Sequence, residues 1–426
     1  MTMKSVLAGL VLAAAAPALA APVDLVTLYK DLHAHPELAF HELRSAGIMA
    51  AEARAAGFEV TEKVGRTGVV AVLKNGEGPT VLIRADMDAL PVKEATGLPY
   101  ASVALGQYDD GPMTPVMHAC GHDIHMAVWI GTARWLAEHR KTWRGTLVMI
   151  GQPAEEASGG ARAMLADGLL TRFPKPDFAL ALHDNSTLPA GQVSVPLFRA
   201  LSISSSMDIV VKGVGGHGAY PATTKDPVAL AGRIITALQT IISRENDPFQ
   251  PAVITVGSIH GGTKHNIIPD EVALQLTIRS YDSVQQQRLI DSIKRVVNGE
   301  AIAAGIPERL MPSFRGGTFG QPTLNDTPMA TRLKAQFEAK LGKDRVVELD
   351  PSMASEDFQY FGLEAKIPSV IYWLGGVGKA QWDAANAGGP AIPSLHNSGW
   401  APDPAPTIAT GVESMTAAVE MLLPAK

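Results

Sequence analysis

Apolar residues recur with helical spacing across residues 23–57, through "DLVTLYKDLHAHPEL" and "HELRSAGIMAAEARAAG", and the run stops at Gly57. Two β-branched runs bounded by glycine and proline follow, "GVVAVLK" and "TVLIRADMDALP", and predict strands. Residues 124–139, "IHMAVWIGTARWLAEH", return to helical spacing with no breaker. The stretch "GTLVMIGQPAEE", 145–156, predicts a buried strand entering a polar turn, and "DFALALHD", 177–184, predicts another. Alternation of this kind predicts α/β layers around a mostly parallel sheet.

Near residue 200 the pattern changes. "SSSMDIVVKGVGG" alternates as a strand does, and a strong helix opens behind Asp226-Pro227. "AVITVGSIHGG" and "VALQLTIRSYD" predict two more strands, and "SVQQQRLIDSIKRVVNGEAIAAG" a second helix. Strand–helix–strand–strand–helix fits a small α+β domain of roughly 110 residues with an open sheet edge. After about residue 317 come loops, the strand-like "PSVIYWLGG" and a closing helix over 405–423. The expected organisation is one α/β domain, 21–200 and 317–426, interrupted by a smaller domain, 201–316.

The first twenty residues form a separate object. Lys4 precedes an apolar, alanine-rich run, Pro17 breaks it, and Ala18-Leu19-Ala20 has the small-x-small form of a signal-peptidase site. The run is too short to span a bilayer. Cleavage after Ala20 and export to the periplasm or medium are therefore expected, with an uncleaved anchor as the alternative. Losing Lys4 with the leader takes the formal charge from −6 to −7. Basic residues are scattered without a run, which argues against a nucleic-acid partner, and no later stretch is apolar enough to predict membrane insertion. The chain holds one cysteine, Cys120, so no internal disulfide can form. A free thiol outside the cell calls for burial or binding.

That thiol sits in "MHACGHDIH", among His118, His122 and His125. Thiolate and imidazole are good ligands for zinc, nickel, cobalt and manganese-class ions; a buried, inert cysteine beside surface histidines is the alternative. In "GQPAEEASGG", Glu155 and Glu156 follow a buried strand, where ligands collect in open α/β sheets. One carboxylate can bind metal while its neighbour stays free to take a proton from water; a solvated acidic turn is the alternative. Asp86 and Asp88 lie at the end of another apolar strand, placed to orient a histidine or bind metal. His183 and His396 could complete a set of ligands for one or two ions. Gly213, Gly215 and Gly218 satisfy G-x-G-x-x-G, but Pro221 and Pro227 forbid the immediate helix a dinucleotide site needs. No G-x-S-x-G elbow occurs, which leaves a serine hydrolase poorly supported.

Ten stretches in order, "LHAHPEL", "RADMDALP", "MHACGHDIH", "GQPAEEASGGARAM", "ALALHD", "GGHGAYP", "HNIIPDEV", "LTIRSYD", "SEDF" and "LHNSG", span nearly the whole chain after the leader. In them the chain resembles the aminoacylase–carboxypeptidase–hippurate hydrolase family of metallopeptidases. The branch is that of hippurate hydrolases, N-acyl-amino-acid amidohydrolases and plant hydrolases of indole-3-acetyl-amino acids. The resemblance implies an α/β metallopeptidase domain with an inserted ferredoxin-like α+β lid or dimerisation domain. It implies metal ligands Cys120, His122, Glu156, His183 and His396, a general base Glu155, and Asp88 orienting a ligand. It further implies one or two divalent ions (Zn, Mn, Ni or Co). His217 would steady the oxyanion, often from a partner subunit of a homodimer, and Asn266 and Arg279 would contact substrate. The implied reaction is hydrolysis of a small N-acyl amino acid. A metallo-carboxypeptidase or dipeptidase with the same centre is the nearest alternative, and a non-catalytic metal-binding protein the alternative of another class.

Overall fold

The computed structural model describes residues 23–109 and 111–425; the expected leader, residues 1–20, lies outside the described residues. Seven strands form one sheet, in the order Glu59–Val64, Gly68–Asn75, Gly145–Gln152, Thr80–Asp86, Phe178–Pro189, Ser369–Val377, Val193–Ser194. The four from Gly145–Gln152 to Ser369–Val377 run parallel; both edges are antiparallel. The sheet is therefore mixed, where the sequence pattern predicts a mostly parallel one. The first strand, "EVTEKV", is an exposed edge with no apolar alternation, and it enters by a hairpin rather than a crossover helix.

Period-two alternation explains the layering. Val69, Ala71 and Leu73, with Val81, Ile83 and Ala85, pack on one face against helices Leu25–Ala34, Leu43–Ala55, His122–Glu138, Thr327–Leu341 and Pro404–Leu422. Val70, Val72 and Leu82 pack on the other face with Ala161, Met164 and Phe361 from helices Gly160–Ala166 and Gln359–Ala365. The apolar run 23–57 forms two helices, because Pro36 ends the first and Glu37 caps the second, accepting the N–H groups of Arg44 (2.9 Å) and Ser45 (2.8 Å).

The inserted segment forms its own sheet, ordered Ala252–Gly261, Glu271–Ser280, Ile203–Lys212, Ser313–Gly316, all antiparallel. Helices Pro227–Thr240 and Ser283–Ala303 cover one face through Ile234, Leu238, Ile290 and Ile293 against Ile209, Leu274 and Ile278. This is the ferredoxin-like arrangement of α+β packing. The short strand Ser313–Gly316 covers one edge, and Ala252–Gly261 leaves the other open. Among the described residues, no helix is long and apolar enough to cross a membrane.

Candidate metal centre

Parallel strands deliver the chemistry at their C-terminal ends, as open α/β sheets do. Asp86 closes Thr80–Asp86, the Glu155-Glu156 turn follows Gly145–Gln152, and His183 lies within Phe178–Pro189. Cys120 and His122 arrive on the loop that enters helix His122–Glu138. Gly121 makes that entry possible: its φ is +74°, and a Cβ there would lie 2.4 Å from the Asp184 carboxylate.

Two histidines are aimed by the same device. His122 Nδ1 donates to the Asp88 carbonyl (2.8 Å) and His183 Nδ1 to the Asp184 carbonyl (2.8 Å), so each presents Nε2 to the centre. Among the described residues, the buried His122 Nε2 and Glu156 Oε1 meet no partner in hydrogen-bonding geometry. The Cys120 sulfur lies 3.6 Å from His183 Nε2 and 3.2 Å from His396 Nε2, which is 3.2 Å from Glu156 Oε1. His396 is held at φ +66°, uncommon for a residue with a side chain, by its N–H on the Ala119 carbonyl (2.8 Å). Cys120, His122 and His183 can offer ligand atoms within 4.8 Å of one another, as can Cys120, Glu156 and His396, and His122, Glu155 and Glu156. Orphaned ligand atoms and a soft thiol shared between sets suit a divalent cation, which these residues would hold.

The turn bearing the two glutamates is fixed from below. Asp88 accepts the N–H groups of Glu155 and Glu156 through its two oxygens, at 3.0 Å each. The side chains then meet different fields. Burial, then the charges of Glu356 and Glu156, push the Glu155 carboxyl well above the usual range. Burial opposes ionisation of Glu156 too, but His396 and His122 outweigh it and hold that carboxyl below normal. Burial raises the Cys120 thiol, with Glu156 and Asp184 adding to the effect. His118, with no partner for either ring nitrogen among the described residues, is pushed down by burial to about 4 and stays neutral.

Several residues at the centre were not assigned a role from sequence. His125 Nε2 accepts the Asp184 N–H (2.8 Å), so its Nδ1 carries the proton given to Asp86 (2.5 Å). Asp86 also takes Arg84 (2.6 Å), whose fully buried guanidinium grips Glu356 at 2.6 and 3.1 Å and Gln152 at 2.9 Å. "SEDF" and the arginine of "RADMDALP" were the sequence signal for this second layer. Of the expected substrate residues, Arg279 lines a cavity of about 580 Å³ together with Cys120, Glu155, Glu156, His183 and His396. His217 and Asn266 do not line it. They lie exposed on the ribbon Gly216–His217/Ile267–Ile268 of the inserted domain.

A buried thiol, imidazoles and carboxylates gathered at the strand ends, with one carboxyl unengaged, define a metal-dependent hydrolase. Residues 82–388 match Peptidase family M20/M25/M40. N-acetylcysteine deacetylase of Bacillus subtilis is 35% identical over 84% of this chain and 90% of its own. IAA-amino acid hydrolase ILR1-like 2 of Arabidopsis thaliana is 34% identical over 82% and 76%. The crystal structure of the Bacillus subtilis YXEP protein, a dinuclear metal binding peptidase from the M20 family, superposes with a TM-score of 0.74 at 29% identity, covering 94% of this chain and 97% of that one. The chain belongs to the M20/M25/M40 peptidase family.

Proposed function

We propose that this enzyme hydrolyses the amide bond of N-acyl amino acids, hippurate-like or related conjugates, to a carboxylic acid and an amino acid. One observation carries the reading. Glu155 lines the cavity beside the cation ligands, its carboxyl oxygens make no hydrogen bond among the described residues, and burial favours its taking a proton. The names of the relatives, a deacetylase of N-acetylcysteine and a hydrolase of IAA-amino acids, support the same class of bond.

A divalent metal, as one or two ions, held by Cys120, His122, Glu156, His183 and His396 would polarise the acyl carbonyl and acidify water. Glu155 takes one proton of the attacking water as its oxygen bonds to the acyl carbon. It then delivers that proton to the departing nitrogen as the C–N bond breaks. Asp88 keeps Glu155 in place through the turn's backbone. Arg279, whose side chain among the described residues bonds only the Met353 carbonyl (2.7 Å), receives the amino acid's carboxylate. Asn266 and His217 serve the same substrate from the ribbon of a second copy, with His217 facing the developing oxyanion. Pairing through the open strand Ala252–Gly261 would make that homodimer. Export with loss of residues 1–20 belongs to the same proposal, and the N-terminal mass of protein recovered from the periplasm or medium tests it.

The deciding experiment is Glu155→Gln. Metal content stays at the wild-type level, while kcat on N-acetyl and N-benzoyl amino acids falls by several orders of magnitude. Near-normal turnover in that variant removes the assignment. A parallel panel of dipeptides separates a dipeptidase from an N-acyl amino acid hydrolase.

A further inference from the structure

The cavity beside the metal centre does not end at Arg279. Ser158, Ser204, Thr318 and Ser355 line it and also line an adjoining cavity of about 250 Å³, which holds Arg162 and Tyr360. The two spaces share a border of four hydroxyl side chains, none of them hydrogen-bonded to protein among the described residues. Ser204 stands opposite Arg279 in the antiparallel register, so the band begins beside the first arginine.

Arg162 is exposed, and its Nη2 donates to the Tyr360 hydroxyl (2.8 Å) with the guanidinium 4.5 Å from that ring's centroid. Tyr360 thus orients the fork without neutralising it. No carboxylate pairs with Arg162 or Arg279 among the described residues. Glu356 and Asp357 also line the second cavity, but they are buried and committed: Glu356 to Arg84 (2.6 Å), and Asp357 to Gln152 Nε2 (2.5 Å) and the Ala161 N–H (3.0 Å). What remains is a second unneutralised cation, reached from the first along a run of free hydrogen-bond donors.

We infer that the adjoining cavity is a subsite for a second carboxylate, and that preferred substrates are N-acyl amino acids whose side chain ends in one. The α-carboxylate sits on Arg279, the side chain crosses the hydroxyl band, and its terminal carboxylate meets Arg162 in a charge-assisted pair. The inference rests on the N-acyl amino acid reading and adds the side-chain class.

N-acetylglutamate and N-acetylglutamine have the same shape and differ in this charge. The metal-loaded enzyme is expected to favour N-acetylglutamate in kcat/KM by about two- to fivefold, the range of an ion pair to an exposed arginine. Arg162→Met brings the ratio toward unity, chiefly through KM, and Arg162→Lys keeps most of it. Calorimetric binding of both compounds to Glu155→Gln reads the same ratio without turnover. Equal binding and turnover of the two, or a ratio unmoved by Arg162→Met, overturns the subsite while leaving the amidohydrolase reading standing. Selective binding of N-acetylglutamate without turnover by the wild type supports the subsite and refutes that reading. Preference for N-succinylalanine over N-acetylglutamate overturns the placement on the side-chain side.

Discussion

Cation binding should expel two protons from this centre. Burial, reinforced by Glu156 and Asp184, holds the Cys120 thiol well above its ordinary range. His122 rises to about 10: burial alone would lower it, but the Asp86 and Asp88 carboxylates beside it prevail. Both groups therefore carry a displaceable proton at neutral pH in the metal-free protein. Both must lose it to bind, since the ligand forms are thiolate and neutral imidazole. The free form holds the protons and the bound form does not, so affinity rises with pH. With two protons displaced, the association constant climbs about 100-fold per pH unit while both groups stay protonated in the free form. Competition of Zn²⁺ against a chromophoric chelator from pH 6.5 to 8.5, corrected for the chelator's own protonation, reads that slope. Cys120→Ala removes one displaced proton, so its slope drops to about tenfold per unit and its affinity at pH 7.5 falls. A wild-type slope of one proton or fewer, or the same slope in both proteins, would refute the coupling of thiol and imidazole to one cation.

Gly121→Ala forces a side chain into a left-handed conformation, which costs about 1–2 kcal/mol, and drives its Cβ into the Asp184 carboxylate. Its unfolding midpoint and metal content should both fall, and wild-type values for both would count against the packing argument. Arg84→Met leaves Asp86 and Glu356 buried without their counter-charge and should cost about 3–5 kcal/mol, read as a lowered urea midpoint; an unchanged midpoint would mean the guanidinium is dispensable. His33, buried between Asp123 (2.6 Å) and Glu94 (3.1 Å), is raised to about 9; burial works against this shift and the two carboxylates exceed it. A folded-state pKa above the unfolded value gives stability fully present below about pH 6.5 and lost as pH rises through 9. The thermal-midpoint gap between wild type and His33→Gln should therefore close between pH 6 and 9.5, and a gap that widens would reverse the sign.

The legible parts of this molecule are those written in local pattern. Val69 to Leu73 and Val81 to Ala85 alternate cleanly between two apolar layers, so their strands could be read from the chain. Helix Pro227–Thr240 announced itself by Asp226, whose carboxylate accepts the Val228 and Ala229 N–H groups at 2.8 and 3.2 Å. The strand Glu59–Val64 carried no such pattern, because an exposed edge has no face to bury. At the centre, the ligand types stood out because a thiol, clustered imidazoles and paired carboxylates are rare companions. Their supports did not. Arg84 and Glu356 are 272 positions apart, and only the fold reveals that they form one ion pair. His217 and Asn266 show the converse: their motifs are conspicuous in sequence, yet a single chain sets them on an exposed ribbon away from the cavity.

The division of labour between Glu155 and Glu156 is the point at which sequence and fold have to be read together. Two adjacent glutamates are chemically identical in the chain, and nothing local separates them. The Asp88 carboxylate fixes both backbone N–H groups, so the turn cannot rotate to exchange their side chains. One then faces imidazoles contributed by residues 122 and 396, which stabilise its charge. The other faces burial and the acidic pair from residues 356 and 357, which destabilise it. Opposite fields on neighbouring carboxyls separate a group that holds a cation from a group that moves a proton. Glu356 has a further consequence, because its negative charge reaches Glu155 only as far as Arg84 leaves it uncompensated. Glu356→Gln should therefore lower the proton affinity of Glu155. In pH profiles of kcat, the limb assigned to Glu155 should move to lower pH in Glu356→Gln. A limb that stays in place would show that Glu356 does not set it.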